Sequence, residues 1–579
     1  MNESGLRFCS NLYFKLRAVF WMAQIGGRVT ISVGWVQPPK YKKGLDPLGV
    51  QQPCIAIYSE LLPGITNVTD RVMYFSFGPW FAWAFANRYP KGSAAQFVEM
   101  LRRAEVLLTL IGTRHGLKTE VDHFEEHGGS LVGVNKLRKI LEQTPGNRPI
   151  KLSDYALLED SELRYFKNRR GGLGQYYLGS LRDEYRLLDD RKAGVIDFTF
   201  ERGRPMAEAF DKGVDQNAFF KCIEQDSATV ARLDKLLMFC PCQLRLKGRS
   251  AEHSLLSTTV LGDSPELSES AKPRRDSLAL LVEFLGSVNG CDATFAPEDE
   301  FLTSCYSLTL PDFRPWLVSS PLVPTANLWS FYVRNEMLSI AMQRLFREAL
   351  GIIERETPRL RTVEEAAGWC ASRGPFDQAL KQLKFKTFDN LVSDVGGKIP
   401  ALADVKSERH EVSLWDKALE GSDAVCDSLA AAIQLVATLL VRPGALPDHF
   451  ERATGVPLLR LNHYPINIET FSARARDSWR RMSLAEWLSD TLCWTMSTHR
   501  QVALRKLAQS GDDTRRLRMG DDGLYFDGDL IDVVRTQPRL VQAFRFLRDL
   551  GLVARAKDSR MPLPTNEGRD FLRSVIDAK

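Results

Sequence analysis

Residues 61–89 read LLPGITNVTDRVMYFSFGPWFAWAFANRY, and the order of breakers, caps and rings in this stretch decides how the rest of the chain is read. Pro63 and Gly64 interrupt whatever precedes them. Thr66 and Thr69 offer N-cap hydroxyls, and Asp70 suits the positive end of a helix, so a helix is predicted to begin there. Tyr74, Phe75, Phe77, Trp80, Phe81, Trp83 and Phe85 then follow within a few turns and point to nearly every side. Aromatic rings bury more area than any other side chains, and a helix that is apolar all round must be enclosed by other elements. Pro79 after Gly78 removes a donor and crowds the preceding turn, which predicts a kink or a split. The stretch is a packing hub.

Working outward, the same rules predict a mainly α protein. Val29, Ile31, Val33 and Trp35 alternate with small or polar residues and read as a short strand. Ser93 caps a helix running to about Ile111, and a first helical domain, with the hub inside it, closes at residue 150. Short helices fill a middle domain over 151–262. Residues 248–275 shift to Ser, Pro and charge and read as a linker. A helical domain over 276–510 holds long helices from Thr325 to Ile353, from Ser422 to Arg442 and from Ser483 to Ala508. At 579 residues the chain is too long for a single core, and roughly three or four domains follow from typical domain sizes.

Composition narrows the classes of function. Lys and Arg number 77 against 72 Asp and Glu, a formal charge of +5 that does not by itself imply nucleic acid. The 44% hydrophobic content excludes wholesale disorder. Ten scattered cysteines with no C-x-x-C pair fit reduced thiols in a cytoplasmic protein. The first residues lack the apolar core and cleavage site of a signal peptide, and Met22 is the expected natural start. No window approaches the roughly 18 apolar residues of a spanning helix, so no membrane partner is expected.

Four motifs bear on chemistry. Cys240-Pro241-Cys242 places two thiols side by side, with no partner His or Cys at ligand spacing in the sequence. Arg169-Arg170-Gly171-Gly172 reads either as a phosphate cradle of backbone amides or as an ordinary tight turn. His123-Phe124-Glu125-Glu126-His127 matches H-x-x-E-H, in which two histidines four apart bind zinc and the glutamate activates water. Glu201 is the candidate third ligand of such a zinc hydrolase, and a plain charged helix end, stopped by Gly128-Gly129, is the alternative. Apart from that reading, neither a metal nor another cofactor is expected. Arg474, Arg476, Arg480, Arg481, Arg500, Arg505, Lys506, Arg515, Arg516 and Arg518 cluster near Trp479 and Trp494. That cluster reads as a track for a phosphate backbone or as a solvated helix face.

At the C-terminus, residues 529–535 read as a short helix, Pro538 opens a second that stops at Gly551, and extended pieces at 552–555 and 560–563 precede a closing helix from Thr565. The run FLRDLGLVARAKDSRMPLPTNEGRDFL resembles the recognition helix, two-stranded wing and last helix of the winged-helix family. The likeness implies a small α+β domain over 511–579. It assigns Arg539, Gln542 and Arg545 to DNA contact, flanked by Arg515, Arg516 and Arg518, with protein docking through Phe546 as the alternative. GLDPLGVQQP, LLPGITNVTDR and Cys240-Pro241-Cys242 together are similar to bacterial proteins from multi-gene antiviral defence clusters, a likeness that carries no catalytic residue across. Together these readings give the expectation of a non-catalytic DNA-binding or scaffolding subunit of a bacterial assembly, with double-stranded DNA, protein subunits or both as partners.

Overall fold

The computed structural model describes residues 46–578, except 120–123, 145, 147, 160–162, 165, 191–194, 263–267, 289–296, 358, 421–424, 443–460, 462–463 and 556–560. The expected strand at 29–35, the Met22 start and His123 lie outside the described residues. Helices dominate, and the described strands form four two-stranded antiparallel ribbons. Ile150–Lys151 pairs with Ser227–Ala228, Leu188–Asp190 with Ile196–Phe198, Leu517–Gly520 with Gly523–Phe526, and Val553–Arg555 with Pro562–Pro564.

The hub is a single helix, Tyr74–Arg88, with Pro79 inside it and no split. It starts later than its cap residues suggest. Thr66 and Thr69 bond to each other in a turn, Thr66 N–H donating to Thr69 Oγ1 at 2.8 Å, and the Tyr177 hydroxyl accepts the amides of Asp70 and Arg71 at 3.1 and 3.2 Å. Those donors are therefore satisfied outside a helix. Trp80 packs edge-on or tilted against Phe210, Phe219, Phe220 and Phe239, and its indole N–H donates to Asp211 at 2.9 Å. This packing and the Ile150–Ala228 pairing cross the boundary expected at residue 150.

Around the hub, Ala94–Lys118 is capped by the Ser93 hydroxyl, which accepts Gln96 N–H at 3.2 Å. The expected linker at 248–275 is instead largely helical: Ser250–Leu261 ends at Gly262 in the left-handed region, and Ser268–Ser287 follows. Burial explains the difference, because Leu256, Val260 and Leu261 face the core while buried Arg274 donates to the carbonyls of Val260 and Pro63 at 2.7 and 2.6 Å. Ser250, Ser254 and Ser257, which suggest a linker in the sequence, lie in the helix Ser250–Leu261.

The C-terminal half is organised on the 34-residue helix Val323–Glu356. Residues 529–538 are not helical, contrary to the reading of 529–535. They lie extended along that long helix, where Gln343 accepts Val534 N–H at 3.1 Å and donates to Val534 O at 3.2 Å, and Glu336 accepts Thr536 N–H at 2.8 Å. Side chains of the long helix thus supply the partners that a helix would have given the 529–538 backbone. Leu540–Asp549, the ribbon and Asn566–Asp577 complete the module. One contiguous apolar cluster runs from Leu48 to Val575.

Candidate metal centre

Three pieces of local structure bring four donors together. His115 sits in the last turn of Ala94–Lys118, and His127 ends the one-turn helix Phe124–His127. Glycine allows these two segments to touch: a Cβ on Gly128 would lie 2.8 Å from the Cα of Thr113, and one on Gly112 would lie 3.1 Å from the carbonyl of His127. Cys240 and Cys242 belong to tight turns, Leu237–Phe239 and Pro241–Arg245, with Pro241 fixing the start of the second. Buried Arg249 holds these turns by donating to the carbonyls of Met238 and Cys240 at 2.9 and 3.4 Å while it pairs through two bonds with Glu252.

The ligand atoms of His115, His127, Cys240 and Cys242 all lie within 4.8 Å of one another. Cys242 Sγ is 3.0 Å from His127 Nδ1, 3.4 Å from His115 Nδ1 and 3.5 Å from Cys240 Sγ, and Cys240 Sγ is 3.7 Å from His127 Nδ1. With zinc–sulfur bonds near 2.3 Å and zinc–nitrogen bonds near 2.0–2.1 Å, the edges of a tetrahedron are about 3.3–3.8 Å. The four observed separations, 3.0 to 3.7 Å, overlap that range, with the Cys242–His127 edge the short one. Two sulfurs and two imidazoles are the donor set of structural zinc, and two thiolates would neutralise the ion.

The sulfurs are electrostatically unequal. The hydrogen bond from Cys240 holds the Cys242 thiol down at about 4 against the opposing effect of burial, with His127 and Gln243 adding to the depression. Gln243 Nε2 donates to Cys242 Sγ at 3.0 Å. Burial, with the neighbouring Cys242, pushes Cys240 well up. Of the two sulfurs, Cys242 is the one more readily deprotonated to the thiolate, the form that binds metal.

The sequence-derived sites fare differently. His127 enters this group, but its partners are His115, Cys240 and Cys242; Glu201 is exposed and outside the group. A closed set of four protein donors also lacks the open position that a hydrolytic zinc needs. The glycine-rich loop holds no free phosphate cradle, because the amides of Gly172 and Leu173 are taken by the buried Glu105 carboxylate at 2.9 and 2.5 Å.

The expected recognition face is turned inward. Arg539 donates to Ser59 Oγ at 2.9 Å, Gln542 to Asn67 O and Asp70 Oδ1 at 3.1 Å each, and Arg545 pairs with Asp70. Phe546 is buried against Phe75 with ring centroids 5.4 Å apart, whereas Val541 is exposed. The reason is the hub, whose rings and acids offer this face more than solvent does. Arg515 and Arg518 both pair with Asp513, at 2.8 and 3.0 Å, and Arg516 is buried.

No protein-family model, curated protein or solved structure matches the chain. Among the described residues, no helix is long and apolar enough to cross a membrane.

Proposed function

We infer that this chain is a non-catalytic scaffolding subunit of a larger bacterial assembly, with a structural zinc ion locking its N-terminal half. The observation that carries the reading is the closed Cys240, Cys242, His115 and His127 set, with every donor supplied by protein. An ion so enclosed organises chain segments and takes no part in turnover. Metal analysis of the purified protein tests it: about one equivalent of zinc is expected, lost in Cys242→Ser, and metal-free wild-type protein of normal stability overturns it.

A second reading, contact with duplex DNA, is favoured by one observation. Arg476, Arg480, Arg481, Arg500 and Arg505 of the basic segment are exposed, unlike the five arginines and one glutamine that the winged-helix likeness and its flank assign to DNA. Phosphate contacts make affinity fall with salt, with a slope of about −0.9 per contact. Arg480→Ala with Arg481→Ala should flatten that slope, and the lack of salt-dependent duplex binding rejects this reading.

A further inference from the structure

The metal-binding turns are also the seat of the C-terminal helix. Arg71, nearly fully buried, donates to the carbonyls of Glu126 and Gly129 at 3.1 and 2.8 Å, on either side of the ligand His127. Its Nε donates to Asp549 Oδ2 at 2.9 Å, and the same oxygen accepts Val72 N–H at 3.3 Å. On the other ligand segment, Gly551 approaches so closely that a Cβ there would lie 2.7 Å from Cδ of Arg245. Beside it, His253 Nε2 lies 2.9 Å from Leu550 O. Both ligand segments therefore touch the end of Leu540–Asp549, one through Arg71 and the other through direct packing.

We propose that the metal centre is a latch: metal binding fixes the 126–129 and 240–245 segments in the arrangement that holds the C-terminal helix against the hub, and metal loss releases that helix. This inference rests on the metal reading above. Release uncovers the one face of the helix that carries Arg539, Gln542, Arg545 and Phe546, the residues whose present partners are Ser59, Asn67, Asp70 and Phe75. A scaffold with such a latch exposes a basic and aromatic surface only when its metal is withdrawn. Coupling between two sites is reciprocal, so a released helix must also bind the metal less tightly.

Hydrogen exchange of the full-length protein tests the latch, with zinc measured on the same samples. Removing zinc with a chelator should speed amide exchange in residues 540–552 by about tenfold or more, leave the remote helix Val425–Val441 unchanged, and be reversed by zinc. Zinc-containing protein whose 540–552 exchange ignores removal overturns the latch and leaves the metal reading standing. Protein purified without zinc overturns both. If chelation also exposes Val425–Val441, the zinc-loaded Asp549→Asn variant decides. Faster exchange at 540–552 together with an equal fold loss of zinc affinity in chelator competition supports the latch, and unchanged zinc affinity overturns it.

Discussion

Arg71 and Asp549, 478 residues apart in sequence, form a 2.9 Å ion pair with side chains 1% and 5% exposed. A pair so buried gains little over a well-packed apolar pair, but removing one partner strands the other charge. Asp549→Ala should therefore cost about 3–5 kcal/mol in urea denaturation, whereas Arg71→Met with Asp549→Leu should cost less than either single change. A single variant within experimental error of wild type would contradict the burial.

Zinc affinity should separate direct ligands from their supports. Cys240→Ser, Cys242→Ser, His115→Ala and His127→Ala each remove a donor, while Gln243→Ala removes only the bond to Cys242 Sγ and should cost about 10- to 100-fold in affinity. His123→Ala should retain about one equivalent of zinc, because the described set is complete without it. Loss of zinc on His123→Ala would restore the H-x-x-E-H reading.

The sequence shows the elements better than the site. Long periodic helices are legible because a 3.6-residue apolar stripe and a capping Ser survive in any context: Ser483 and Glu486 make the capping box that starts Leu484–Ser510. The conformation of 529–535 is not legible locally, because Val534 and the adjoining Thr536 find their partners, Gln343 and Glu336, about two hundred residues away. Three of the four metal ligands are visible in the sequence as Cys240-Pro241-Cys242 and His127. The missing ligand, His115, sits on a helix where one histidine carries no spacing signal, and only the close glycine contact at Gly112 and Gly128 brings it in. The C-terminal polar face was legible as a face, but local periodicity does not say which face meets a neighbour.

Gly171 supplies a steric test. Its φ is +68°, and a Cβ there would lie 1.8 Å from Glu105 Oε2, the oxygen that accepts Gly172 N–H. Gly171→Ala must strain the backbone and displace a buried carboxylate, at a combined cost of about 3–5 kcal/mol. Gly146 also has positive φ, +59°, but nothing lies within 4 Å of its Cβ position, so Gly146→Ala should cost only about 1–2 kcal/mol. Equal losses, measured by denaturant midpoint, would mean that the Glu105 contact is not formed.

His499 links stability to pH. It is fully buried between two backbone partners: its Nδ1 lies 3.0 Å from Pro47 O, and its Nε2 accepts Arg516 N–H at 2.8 Å. An Nε2 that accepts an amide must be unprotonated, so Nδ1 carries the proton and the ring is neutral. Burial is the main cause that pushes its pKa down to about 4; the Pro47 bond opposes the shift, and Lys506 adds to it. The unfolded ring, near 6.5, takes up its proton first. Its contribution is therefore complete above about pH 6.5 and is lost progressively as pH falls toward 4, by about 3 kcal/mol in all. His499→Gln cannot titrate and should be less stable than wild type at pH 8. The gap between the two proteins should narrow by up to that amount between pH 6.5 and 4, as followed by urea denaturation at fixed ionic strength. Parallel stability curves over that range would show that His499 is not the buried neutral imidazole bridging Pro47 and Arg516.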